Sequence, residues 1–460
     1  MSSRRSFIKK SVLTASIPVF APNTELFSIL KGAPSDQLNI GVIGTKATIQ
    51  SNVYEHKIIK LCNSSKVSSL ATPLLAPMIE EGFINEDISH TVIANYLSNK
   101  KLANIDVAKD DNFKSYIKRK ALGVVFVIAP WNYPYLVAVN SIIPAMAAGN
   151  SVILKHSAQT PLCSEQLYQS AKKILPNDIF NYLHLNHEDS LKIVSDKRIN
   201  FVSFTGSVKA GYDVQRATQN KFIDMTLELG GKDPAYARYD CDLEKTVENL
   251  VDGSFFNSGQ SCCGIERIYV DEKIYNNFLE LFVSKTYNYK LGNPLEKKTN
   301  LGPVVKLSAA DFILQQMNSA INKGAKKMID ENKFTFPKEH KNYLIPQVLT
   351  NVTHEMSFMT EETFGPCVGI MKVRDENEAI KLMNDSPYGL TASIWTKDIE
   401  IAEKIGNKVK TGTFYMNRCD YLDPALSWTG VKETGKGCSL SEVAYEKLTS
   451  PKSFHLRKEQ

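Results

Sequence analysis

The stretch NSGQSCCGIERIYV (residues 257–270) sets two cysteines, Cys262 and Cys263, directly behind a Gly-Gln-Ser run. Neither stands at the spacing of a metal site or a dithiol redox pair, so the chemistry open to them is nucleophilic. A thiol attacks as the thiolate, and an ordinary cysteine supplies little of it at neutral pH. A helix N-terminus or a nearby cation raises that fraction, whereas a cysteine buried among apolar groups behaves as a small hydrophobe. The other six cysteines (Cys62, Cys163, Cys241, Cys367, Cys419, Cys438) follow no disulfide rhythm and suit free thiols in a reducing compartment. His184 and His187 form an H-x-x-H with no third ligand nearby, so no metal site is expected.

To use a thiol, the chain must hold it against other groups, and the elements that could do so are α/β in pattern. A length of 460 residues implies two or three domains, and 43% hydrophobic with 23% charged residues is a globular balance. The net charge of +6 is spread thinly, without a basic stripe or zinc-finger spacing, so nucleic acid is not an expected partner. Short Val/Ile-rich runs, GVVFVIAP (123–130), SVILK (151–155), NFVSFTG (200–206) and FIDMTLELG (222–230), read as buried strands. Helical patterns at 162–175 and 208–217 lie between them, which predicts a mostly parallel sheet covered on both faces. A second α/β run begins near Gly230, with a helix at 243–256, a strand at 267–270 and a helix at 273–289.

Five stretches in this order resemble the aldehyde dehydrogenase superfamily: APWNYP (129–134), FTGSVKAG (204–211), LELGGKDP (227–234), NSGQSCC (257–263) and EETFGP (361–366). NDSPYGL (384–390) follows the last, and the glutamate of the third precedes the cysteine of the fourth by 34 positions. The resemblance runs from about residue 75 to 460, and five motifs in register carry far more weight than any one alone. It implies a Rossmann-type parallel-sheet cofactor domain over 48–229, an α/β catalytic domain over 230–437, and a small β oligomerisation flap pairing 112–123 with 448–457. It also implies oxidation of a small-molecule aldehyde to an acid with NAD or NADP, in a homodimer or homotetramer.

Carried over residue by residue, the resemblance makes Cys262 of G-Q-x-C the nucleophile and leaves Cys263 as a packing neighbour. Asn132 and the backbone N–H of Cys262 become donors to the developing oxyanion, which is the interaction that usually contributes most to such catalysis. Glu228 becomes the base that activates water on the thioester; a carboxylate ending a buried strand has its pKa raised toward neutrality, as that role requires. Gly206, Ser207 and Gly211 belong to the turn and helix that meet the pyrophosphate. Lys155 matches the lysine at the adenosine ribose, Glu362 and Phe364 the residues at the nicotinamide ribose and ring, and Trp131 joins the cofactor wall.

Two departures stand out. Three residues beyond Lys155, where the family often carries a glutamate that discriminates against a 2′-phosphate, this chain has Ala158, so NAD and NADP both stay open. The front is also unusual. SRRSFIKKS (3–11) matches a twin-arginine export signal, followed by an apolar stretch too short and too interrupted to span a bilayer. LNIGVIGTKA (38–47) resembles the opening strand of the Gfo/Idh/MocA oxidoreductases, but its glycine fingerprint stops after Gly41 and Gly44. Residues 1–47 therefore read as a leader-like segment, not the cofactor site. The body predicts a cytoplasmic enzyme, with export to the periplasm left open by the paired arginines. The competing readings are an aldehyde dehydrogenase-like binding or structural protein impaired by the altered front, and an exported sugar-type oxidoreductase.

Overall fold

The computed structural model describes residues 39–44, 66–71, 105–106, 112–172, 175–176, 178–335 and 340–458. The twin-arginine stretch lies outside them. Of the front, Asn39–Gly44 and Lys66–Ala71 pair in parallel as a two-stranded sheet of their own and do not extend the sheets that follow.

The first large sheet has six strands in the order Gly435–Lys436, Asp224–Glu228, Ile199–Thr205, Val124–Ala129, Ser151–His156, Phe180–Tyr182, all parallel except the first. Its inner strands are mostly apolar because helices cover both faces, and successive residues serve opposite cores. Val125 and Val127 pack into one cluster with Ile142 and Leu167, while Phe126 and Ile128 pack into the other with Val214 and Leu229. The helix Leu162–Lys172 and the helix Val208–Ala217 fall where the apolar periodicity predicts them. The helix Pro134–Ala147, which the sequence reading did not single out, opens with a proline at its first turn, where the missing N–H costs nothing.

The chain leaves this sheet after Glu228 and enters a second, seven-stranded one at Asp233. Its order is Lys326–Lys327, Gln347–Thr350, Cys367–Val373, Ile265–Asp271, Asp233–Ala237, Thr391–Trp395, Thr413–Met416, parallel except at the Lys326–Lys327 edge. The same alternation divides Ile268 and Val270 from Tyr269 between its two cores. One departure from the expected boundaries is clear. Gly435–Lys436, at the end of the span assigned to the second unit, returns to the first sheet and pairs antiparallel with Leu227 and Glu228.

A third sheet pairs Thr449–Arg457 antiparallel with Phe113–Ala121, which also holds Ile105–Asp106. Tyr116 stacks on Phe454 at 4.8 Å and Phe113 on His455 at 4.4 Å across this ribbon. Among the described residues no helix is long and apolar enough to cross a membrane.

Candidate active site

Cys262 sits on the wall of a cavity of about 650 Å³ lined from both large sheets. The loop carrying it follows the helix Leu243–Phe255, and the backbone twists through positive φ at Asn257 (49°), Ser258 (57°) and Gly259 (71°). Glycine is required at 259 because an added Cβ would lie 2.1 Å from the Gly365 carbonyl oxygen. The same holds at Gly231, where a Cβ would lie 2.2 Å from the carbonyl oxygen of Cys262 itself. The glycines of two motifs distant in sequence thus let three backbones meet around the cysteine loop.

Cys263 is buried, 5% exposed, and its thiol donates to Asp420 Oδ1 at 2.9 Å. Its hydrogen bond with Cys262, its burial and the Asp420 charge all push its pKa up, so it stays a thiol. Asp420 Oδ1 also accepts from Ser261 Oγ at 3.0 Å, so one carboxylate holds both neighbours of Cys262.

Asn132 follows the strand Val124–Ala129 and precedes the helix Pro134–Ala147. Its Nδ2 donates to the Gln260 carbonyl at 3.1 Å, which fixes the amide against the cysteine loop and leaves its second N–H for another acceptor. Glu228 ends its strand half-buried on the same cavity, with Ser439 Oγ donating to its Oε1. Burial raises its pKa above the ordinary 4.5, against the opposing hydrogen bonds from Ser439 and Thr205.

Gly206 and Ser207 line the cavity at the N-terminus of the helix Val208–Ala217, whose Ala210 N–H Ser207 caps. A second hollow of about 370 Å³ continues past them and shares Trp131, Ser207, Glu362 and Phe364 with the first. Trp131 and Phe364 meet edge to face at 5.7 Å. Glu362 Oε1 accepts from Gly231 N–H at 2.9 Å, and burial together with the Glu266 charge raises its pKa to about 8.

Two of the expected cofactor residues lie off these walls. Gly211 faces inward from its helix, where a Cβ would meet Leu229 at 2.6 Å, so close helix–strand packing is what demands glycine there. Lys155, next to last in its strand, is half-buried and lines neither hollow, and burial lowers its pKa. His184 and His187 pair separately, with Glu165 and Asp213.

The residues that sequence reasoning missed form the support. Lys232 is 1% exposed and pairs with the buried Glu266, which also accepts from the N–H groups of Thr363 and Phe364, each at 2.9 Å. Lys232 Nζ also donates to Thr363 Oγ1 at 2.8 Å. This pair fixes the turn carrying Glu362 and Phe364, where Phe364 takes a φ of 54°. The available signal was the charged pair Glu266-Arg267 inside the otherwise apolar run GIERIYV, since buried charges demand partners.

A free thiol and a carboxylate on one cavity, with a helix N-terminus and a cleft leading away between parallel sheets, define an α/β oxidoreductase of the dinucleotide-binding kind. The chain belongs to the aldehyde dehydrogenase family, whose model matches residues 86–454. It is 34% identical over 365 residues to the peroxisomal aminoaldehyde dehydrogenase 1 of Pisum sativum, covering 78% of this chain and 72% of that protein. It is 32% identical to the succinate semialdehyde dehydrogenase [NAD(P)+] Sad of Escherichia coli, covering 72% and 71%. The betaine aldehyde dehydrogenase of Staphylococcus aureus, solved in complex with NAD+, superposes with a TM-score of 0.77 at 30% identity over 82% of this chain and 76% of that one.

Proposed function

We propose that the chain oxidises an aldehyde to the free carboxylic acid with NAD or NADP, through Cys262. The convergence of Cys262, Asn132 and Glu228 at a single cavity, from three separate motifs, carries this reading. The Cys262 thiolate adds to the aldehyde carbon, and the Asn132 amide and the Cys262 N–H stabilise the oxygen as it becomes negative. The bound nicotinamide supplies the acceptor for the hydride that leaves that carbon. Glu228 then takes a proton from a water as its oxygen attacks the Cys262 thioester, which releases the acid and returns the thiol. A raised pKa suits Glu228 to that proton transfer, and its presence favours water over coenzyme A as acyl acceptor.

The residues present fit a dinucleotide. Ser207 opens the helix N-terminus that would meet a pyrophosphate, Gly206 before it carries no side chain in the way, and Trp131 and Phe364 bound the cleft on either side. Glu362 is an acceptor for ribose hydroxyls, and Lys155 a donor further along the sheet edge. The complex of the S. aureus relative with NAD+ and the NAD(P)+ in the name of the E. coli relative support both forms of the cofactor. Pairing of the outer edge of the strand Thr449–Arg457 between copies would make a homodimer or homotetramer. The deciding experiment follows NADH or NADPH formation over a panel of aldehydes with Cys262→Ala and Glu228→Gln beside the parent. Activity that survives Cys262→Ala refutes the mechanism. A burst of reduced cofactor without turnover in Glu228→Gln is the expected result for the base.

A further inference from the structure

Both adjacent thiols belong to the cavity wall, since Cys263, although buried, lines it beside Cys262. A thiol so placed is a second nucleophile whenever it loses its proton. The side chain that meets it is Asp420, which lines the same cavity and has no part in the reaction above. Asp420 Oδ1 accepts from Cys263 Sγ at 2.9 Å and from Ser261 Oγ at 3.0 Å. Ser261 Oγ lies 3.6 Å from Cys263 Sγ, so the three groups close a triangle. Among the described residues, the bonds to Asp420 come from the residues on either side of Cys262 and not from Cys262 itself. The turn that presents the carboxylate is held in its own right. The strand Thr413–Met416 gives way to Asn417, whose amide bridges the N–H and carbonyl of Thr396 at 3.0 and 2.8 Å. Asn417 and Asp420 take positive φ, 54° and 46°, a region that asparagine and aspartate adopt more readily than other side chains. An asparagine at 420 would therefore suit the backbone, and its amide oxygen could accept from both donors. What aspartate adds is a negative charge in contact with the Cys263 sulfur.

We propose that Asp420 is a positioning residue that selects between the two thiols: it engages Cys263 as a protonated donor and so leaves Cys262 as the nucleophile. The inference rests on the reading of Cys262 above and assigns the side chain that makes the choice. Ionisation of Cys263 would break the S–H···O bond and bring two negative charges into contact, so it costs the bond and adds repulsion. The bond with Cys262 and burial act on Cys263 in the same direction as the Asp420 charge. The carboxylate is favoured in turn, because the bonds from Cys263 and Ser261 oppose the burial that raises its pKa. Without this arrangement an aldehyde would have two sulfurs to meet. Addition to Cys263 forms one S–C bond and places the thiol proton on the carbonyl oxygen, a redox-neutral and reversible step that occupies the cavity without product.

The test reads which sulfur reacts, by brief exposure to iodoacetamide and mass mapping of the alkyl groups on Cys262 and Cys263. In the parent protein Cys262 is expected to be alkylated first. Comparable or faster alkylation of Cys263 overturns the proposal, and this arm needs no variant. In a Cys262→Ser background, Asp420→Asn keeps the shape and an acceptor but removes the charge. It is expected to speed alkylation of Cys263 by about tenfold or more, the scale of one charge-assisted hydrogen bond. Asp420→Glu restores the charge and is expected to return the slow rate. An unchanged rate in Asp420→Asn overturns the selection, and so does equal speeding by Asp420→Glu, which would trace the effect to loosened packing. A second measurement uses turnover with Cys262 intact. Asp420→Asn is expected to show inhibition by excess aldehyde that the added Cys263→Ala removes, and inhibition that persists in the double variant overturns the proposal. Fast Cys263 alkylation confined to Asp420→Asn, in a protein that oxidises no aldehyde, would uphold the selection and refute the catalytic reading. Full aldehyde oxidation with unchanged alkylation would do the reverse.

Discussion

Replacing Glu266 by Gln tests whether the buried pair beneath the site organises it. The substitution keeps the shape of the side chain and one oxygen, so an acceptor remains for the Thr363 or Phe364 N–H. It removes the charge that neutralises Lys232, which is 1% exposed and whose remaining side-chain partner is the Thr363 hydroxyl. Leaving one member of a buried ion pair uncompensated costs roughly 3–5 kcal/mol. The double variant Lys232→Met/Glu266→Gln removes both charges of the pair, so it should be more stable than Glu266→Gln alone by a large part of that amount. The measurement is thermal or denaturant unfolding of the parent, both single variants and the double variant. Additive losses would refute the pairing argument. The same substitution has a second readout at the site. Burial comes first and the Glu266 charge second among the causes that lift Glu362 to about 8. Without that charge the Glu362 carboxylate ionises more easily, so its pKa falls. If ionised Glu362 receives the ribose hydroxyls, the KM for NAD(P)+ should improve as pH rises through about 8 in the parent, and at lower pH in Glu266→Gln. The stability sign is the opposite one. Because its folded pKa lies above the ordinary 4.5, Glu362 favours the folded state below that value, and the contribution is lost as pH rises through about 8. A cofactor KM whose pH midpoint does not move in Glu266→Gln would sink this coupling.

Two further substitutions separate the thiol from its surroundings. Gly231→Ala places a methyl group 2.2 Å from the Cys262 carbonyl, a backbone atom that can yield only by shifting the loop. A stability loss of about 1–3 kcal/mol is expected, with a larger fall in kcat than a packing change elsewhere would cause, read by calorimetry and steady-state rates. Cys263→Ser keeps a donor for Asp420 in a smaller side chain and should retain most of the activity, whereas a loss as complete as that of Cys262→Ala would show that the second thiol takes part in the chemistry.

Much of the fold was legible because its strands obey a local rule: runs such as GVVFVIAP need no partner information to read as buried strands. The helix Val208–Ala217 was legible to the residue because Ser207 caps it and its apolar face repeats at helical spacing. The roles of Asn132, Glu228 and Cys262 came from motif register, and their meeting at one cavity was outside the reach of any local pattern. Less legible were groups whose meaning lies in what crosses from another element. Lys232 and Glu266 are separated by 34 positions, and nothing in LELGGKDP or GIERIYV says that one neutralises the other. Gly211 misled for the opposite reason. A glycine in a phosphate-binding motif suggests backbone approach to a ligand, yet here the atoms that forbid a Cβ are the methyl groups of Leu229.

The same distinction bears on the cavity itself. The residues of the proposed reaction are fixed by backbone contacts: Gly231 against the Cys262 carbonyl, Gly259 against Gly365, and Gly206 N–H to the Glu228 carbonyl at 3.0 Å. Such contacts tolerate no side chain, and so they leave a strict sequence trace. The cavity wall beyond them is less uniform: Asp252 stands exposed at the end of its helix, whereas Asp420 is tied to Ser261 and Cys263. The proposed chemistry therefore leaves its trace in glycines that let backbones touch, a constraint that an exposed side chain such as Asp252 does not carry.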